Sequence, residues 1–220
     1  MGSIIQRRDG SIVVGTAGYG VYVLGKDNQL KAFSLDESDF FYDHIFGDSH
    51  GRLWQSGFDD IISMHDGTKN VKYHSTVGNA LEFVEAEDEL LILCQHGFMS
   101  FRNGKMSEAD INMGALANKD VVFSKITAIS DGTMYVGTRG KGLYRISPTH
   151  PRRLESVSIN TDGIDPSTAK IAAVMTDRRG NLWLGCHRKG LLMVPSRPVQ
   201  FNSWSFAAQG VNLGSTISSV

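Results

Sequence analysis

The residues of this 220-residue chain best equipped for chemistry are cations set in short tips bounded by glycine. Arg139 and Lys141 stand in Arg139-Gly140-Lys141-Gly142, and His187-Arg188-Lys189 stands just before Gly190. An arginine offers a planar fork of donors that suits a carboxylate or sulfate, and a lysine offers a compact positive charge. Tyr19 and Phe58 occupy corresponding tips elsewhere and present flat ring faces on which a sugar can stack. Together these seven residues read as a recognition set for an acidic or hydroxyl-rich sugar. The competing reading is that they are solvated charges on hairpin ends.

Other chemistries find little support. His44, His50, His65, His74 and His150 fall at none of the His-x-His or His-x-x-x-His spacings that bring two imidazoles onto one metal. Asp59-Asp60 and Asp36-Glu37 are neighbours in turn-like stretches, so no carboxylate pair is placed to flank a glycosidic bond. Neither a Gly-x-Ser-x-Gly nucleophile turn nor a phosphate-binding glycine loop occurs. The expectation is therefore a region without catalytic residues, resident metal or cofactor.

The tips belong to a repeated unit. The clearest copy, Asp177-Arg178-Arg179-Gly180-Asn181-Leu182-Trp183-Leu184-Gly185-Cys186-His187-Arg188-Lys189-Gly190-Leu191-Leu192-Met193-Val194, reads as turn, strand, glycine-closed hairpin and strand. Copies of this core run over 8–23, 48–64, 87–101, 130–146 and 177–194. Anchored on Gly10, Gly51, Glu89, Gly132 and Gly180, they step by 41, 38, 43 and 48 residues. That is close to the roughly 40–45 residues of a four-stranded propeller blade. The 87–101 copy is the weakest, with Leu90-Leu91-Ile92-Leu93 as its strand and His96-Gly97 as its turn.

Within the unit, Asp9, Asp48, Asp131 and Asp177 offer a carboxylate to turn amides, while Gly10, Gly51, Gly132, Gly180 and Gly190 take backbone angles closed to other residues. Trp54 and Trp183 follow at equal spacing and are expected to fill the gap between adjacent sheets. All of these are read as scaffold.

Each unit is expected to add an inner strand before the turn and an outer strand after the hairpin, the last of them at 199–206. Residues 112–119, in the longest connection, are expected to make a helical turn or two. Four-stranded units with two apolar faces bury both only by stacking on neighbours, and radial stacking gives a propeller. The expected fold is thus all-β: a propeller of four-stranded antiparallel blades, five of them present over 1–220. Residues 215–220 open a sixth unit, which implies a piece of a larger, seven-bladed ring.

Composition bounds the partners. A net charge of −1 gives no electrostatic footprint for nucleic acid. No apolar run approaches the ~18–20 residues of a membrane span. Cys94 and Cys186 lie two repeats apart and are expected to be separate half-buried thiols.

The copies at 177–194 and 131–144 resemble the two-component-regulator propeller repeat, and the 198–220 stretch resembles a junction between such repeats. Departures are the eroded 87–101 unit and Cys186, where threonine is usual. The resemblance implies the periplasmic sensor region of a hybrid two-component system of Bacteroidetes. It implies a chain that binds an oligosaccharide, signals to a histidine kinase outside it and dimerises through the full receptor. Two other functions stand beside this one, a propeller polysaccharide lyase or hydrolase and a passive protein-interaction propeller.

Overall fold

The computed structural model describes residues 3–7, 9–16, 19–33, 44–86, 88–117, 121–149, 151–159 and 168–196. Each repeat forms one small antiparallel sheet, and the five sheets make a five-blade β-propeller. Blade one comprises β1 (Ile4–Gln6), β2 (Ile12–Thr16), β3 (Gly20–Leu24) and β4 (Leu30–Ala32). Blade two comprises β5 (His44–Gly47), β6 (Leu53–Ser56), β7 (Ile61–His65) and β8 (Asn70–His74). Blade three comprises β9 (Ala80–Ala86), β10 (Glu89–Cys94), β11 (Phe98–Arg102) and β12 (Lys105–Glu108).

Blade four departs from the expected four strands. β14 (Phe123–Ala128), β15 (Met134–Thr138), β16 (Leu143–Ile146) and β17 (Arg152–Ser156) are joined at the outer edge by β13 (Ile111–Asn112), which pairs parallel to β17. The long connection from blade three supplies this strand and then a single 3-10 turn at Gly114–Leu116, the only helical turn among the described residues. Blade five shows β18 (Ile171–Thr176), β19 (Leu182–Cys186) and β20 (Gly190–Val194). The outer strand expected at 199–206 and the sixth unit at 215–220 lie outside the described residues.

The core is not one mass but a series of joints. Val13, Val21, Ile45 and Leu53 close blade one on blade two. Trp54, Ile62, Phe83, Leu90, Ile92 and Phe101 close blade two on blade three. Leu91, Leu93, Phe98, Phe123, Val136 and Ile146 join three to four, and Leu143, Ile171, Val174, Leu182 and Leu184 join four to five. Alternation does this: along β10, Leu90 and Ile92 face one neighbour while Leu91 and Leu93 face the other. All six residues of β10 are buried, so the unit with the weakest repeat signature is the best enclosed strand.

The turn before each second strand is tied as its residues suggest. The Asp48 carboxylate accepts from the backbone N–H of His50 and Arg52 and from the Trp54 indole Nε1 at 2.8 Å. Asp177 accepts from the N–H of Arg179 and Asn181, the Asn181 amide and the Trp183 Nε1 at 3.0 Å. Gly51 and Gly180 sit at φ +81° and +79°, where a Cβ would be strained. In blade three no aspartate ties this turn among the described residues. There the Glu89 carboxylate meets the Ser100 hydroxyl and, at 2.7 Å, the Arg152 guanidinium of blade four, in a pair that is about nine-tenths buried.

Trp54 is fully buried, with its ring 4.8 Å from that of Phe101 across the joint. Trp183 does not repeat this. It is half-buried, beside Met175 and Met193 in a row that faces away from blade four, and Met175 is 55% exposed. Trp54 thus fills a gap between two sheets, as expected, while no sheet is described on the side that Trp183 faces. Cys94 and Cys186 are free thiols, more deeply buried than expected. Burial raises both, Cys94 to about 11, against weaker opposition from the Ser75 hydroxyl at Cys94 and from Lys189 at Cys186.

Candidate functional site

In an up-and-down blade, the hairpin joining the second and third strands shares a face with the start of the innermost strand. The fold places the cationic tips on that face. In blade four the hairpin is held by its threonine: Thr138 Oγ1 donates to the Gly142 carbonyl at 2.7 Å and accepts from the Lys141 N–H at 2.9 Å. Thr16 Oγ1 likewise donates to the Gly20 carbonyl in blade one. In blade five Cys186 takes this position, and the hairpin closes by Lys189 N–H to the Cys186 carbonyl, with Arg188 and Gly190 both at positive φ.

The strand that opens blade five runs over the blade-four hairpin. Gly137 makes this possible, since a Cβ there would lie 2.7 Å from Ile171 Cγ2. The Ser124 hydroxyl donates to the Ile171 carbonyl. Arg139 and Lys170 pair as an isolated antiparallel bridge, and the His187 N–H donates to the Lys170 carbonyl at 2.8 Å. Two hairpin tips and one inner-strand start are thereby locked to one another.

These tips border a cavity of about 460 Å³ at the inner rim of the loop face. Its wall draws on four blades: His44 from blade two, Leu81 from blade three, Ser124, Lys125 and Arg139 from blade four, and Lys170, Ile171, Ala172 and His187 from blade five. No carboxylate is among these residues. Lys125 is compensated from behind by Glu82 at 2.6 Å. Arg139 and Lys170 are exposed and meet no carboxylate among the described residues. The arrangement can hold a small anionic or polar ligand against apolar flooring from Leu81 and Ile171.

Of the seven residues nominated from sequence, the structure brings Arg139 and His187 to this cavity. Lys141, Arg188 and Lys189 are exposed at the tips and do not line it. Tyr19 and Phe58, 77% and 64% exposed, stand on the hairpins of blades one and two, also outside its wall. The recognition set expected from sequence is thus divided into an inner pair at the rim and an outer set of tips. Lys125, Lys170 and His44 were not nominated. Each stands at the start of an innermost strand, a position that every blade has and that does not by itself mark a site.

A larger cavity, about 610 Å³, opens on the opposite face and is lined by residues of blades one, two and three. Its carboxylates are already engaged: Asp9 with Ser11, Asp48 with Trp54 and Arg52, and Glu85 with Ser49. Asp48, His50 and Glu85 approach within metal-binding reach there. The Arg52 guanidinium, however, sits against Asp48 and neutralises it. Burial raises Asp48, but hydrogen bonds from Trp54 and Arg52 outweigh it and hold the carboxyl below its usual value. This cluster is a hydrogen-bonded joint between blades.

No family model matches the chain, and no curated protein matches it by sequence. Solved structures share its fold. The extracellular domain of a hybrid two-component system from B. thetaiotaomicron overlays with a TM-score of 0.68 at 15% identity, over 90% of this chain and 27% of that one. A streptogramin B lyase gives 0.67 at 16% identity, over 89% of this chain and 69% of the lyase. PorZ, a surface component of the type-IX secretion system of Porphyromonas gingivalis, gives 0.67 at 13% identity, over 88% and 32%. The chain spans less than a third of the two-component domain and of PorZ. The likeness is one of fold, shared by extracellular domains of hybrid two-component systems and by a lyase.

Proposed function

We propose that this chain is a ligand-sensing propeller of an extracytoplasmic, periplasmic receptor of the hybrid two-component kind. It takes a glycan-derived ligand on its loop face, and the event passes to a histidine kinase outside this chain through a homodimeric receptor. The observation that carries the reading is the inner-rim cavity, where four blades converge side chains able to bind a sugar derivative. The physical requirement is that the ligand bind one arrangement of the receptor better than the other, because only differential affinity shifts an equilibrium. A cavity shared by four blades suits this, since small changes of blade tilt alter its shape.

An enzyme is the second reading, favoured by the fold likeness to a lyase and by two imidazoles, His44 and His187, on the cavity wall. Fold alone does not decide between them. The deciding experiment is calorimetric titration with panels of neutral and acidic oligosaccharides, with chromatography of each mixture after prolonged incubation. A sensor gives saturable heat and unchanged saccharide. Product formation would transfer the assignment to the enzyme, and a panel without saturable heat would remove the glycan.

A further inference from the structure

Arg139 and Lys170 are brought together by the backbone. They are direct partners in an antiparallel bridge, the Arg139 N–H is anchored on the Val122 carbonyl at 2.8 Å, and the Lys170 carbonyl is anchored by His187. The Lys170 stem runs beside Gly140, whose absent Cβ would lie 3.9 Å from its Cγ. Like charges directly opposite on paired strands repel. Elsewhere the chain answers such charges: Lys125 with Glu82, Arg145 with Glu155 and Arg152 with Glu89. At the rim of the 460 Å³ cavity, the Arg139–Lys170 pair has no carboxylate among the described residues.

We propose that Arg139 and Lys170 form an oxyanion-binding site, at which the ligand of the loop-face cavity is held by a carboxylate or a sulfate group. Arg139 supplies the planar fork and Lys170 the point charge, so one anionic group is met by two kinds of donor. The ligand's remaining polar surface then falls toward His44 and His187 across the cavity. This rests on the reading of the cavity as a sensor's ligand site and narrows it: the sensed molecule carries an oxyanion, either the carboxylate of a uronic acid or a sulfate ester. Lys170, invisible as a site residue in the repeat pattern, becomes the partner that distinguishes this rim from the outer tips.

The test compares the wild-type chain with Arg139→Gln, Lys170→Gln, the double variant and the charge-keeping Lys170→Arg, each first shown folded by circular dichroism. Calorimetric titration uses three probes: oligogalacturonate, a sulfated disaccharide and a neutral oligosaccharide of matched length. The expected result is binding of a charged probe, with each Gln substitution weakening it about tenfold and Lys170→Arg restoring most of the affinity. The carboxylated and sulfated arms identify which oxyanion is read. Equal affinity for the neutral probe, or charged binding unchanged in the double variant, overturns the oxyanion site while the sensor reading stands. A melting-temperature gain in sodium sulfate over sodium chloride at equal ionic strength should also shrink in the double variant. If that difference is seen while no saccharide binds, the oxyanion site stands and the glycan reading falls.

Discussion

Trp54 and Trp183 occupy the same place in the repeat, six residues after an Asp whose carboxylate each indole N–H reaches, yet only one is enclosed. Tyr73 of the same blade stacks on Trp54, and Phe101 meets it edge-on across the joint from blade three. Around Trp183, the neighbouring Met175, Leu191 and Met193 are open to solvent. The difference teaches that the repeat specifies the turn, whereas burial comes from the next blade. A repeat residue has one conformation and two energetic roles, according to what stands beside it.

Truncation of the two rings should have unequal effects. Trp54→Ala should cost about 3–5 kcal/mol in urea unfolding, through lost burial and a cavity. Trp183→Ala should cost no more than about 1 kcal/mol. Equal losses would mean that the open face of blade five is covered in solution. Next, Arg152→Ala should cost about 3 kcal/mol or more, because it strands Glu89 in a buried joint. The double variant Glu89→Leu with Arg152→Met should recover most of that loss. No recovery would show that the pair is valued for its geometry and not merely tolerated.

A third comparison lies between hairpins. Gly137→Ala places a Cβ within 3.0 Å of Ile171 and Ser124 and should destabilise by about 1–3 kcal/mol. Gly185→Ala meets Ala173 at no less than 3.2 Å and should cost less. The same ranking measured by thermal unfolding would support the tight crossing at the rim, and a reversed order would not.

The smallest effect is titrational. Hydrogen bonds from the Trp183 indole and the Asn181 amide hold Asp177 down at about 2. A carboxyl depressed in the folded state stabilises above its ordinary value near 3.8 and loses that contribution as pH falls toward 2. In Trp183→Phe the melting temperature should therefore fall less steeply between pH 4 and 2 than in the wild type. An unchanged slope would show that the indole contact does not form in solution.

The period, the turn glycines and the alternating strands were legible in sequence because each is set by residues a few positions apart. So were the Asp-turn contacts, since Asp48 and Asp177 meet partners within six residues. The rim cavity was only half legible. Arg139 and His187 stand on recognisable tips, but Lys170 reaches Arg139 through a crossing that depends on Gly137 and Ile171 in different blades. Residues from four blades meet at one axis, and no local pattern records which starts of inner strands will converge there. The five-stranded sheet of blade four escaped for the same reason, because β13 pairs with β17 across some forty positions of chain.

The bridge from Glu89 to Arg152 has a consequence for treating such chains as interchangeable parts. Blade three has shed the signature that its siblings keep and leans on a guanidinium supplied by the unit after it. A graft of blade three alone into another array would carry a buried carboxylate without its counter-charge. A graft of blade four alone would carry the reverse. The portable module here is the pair, and a designer shuffling repeats should cut on either side of both.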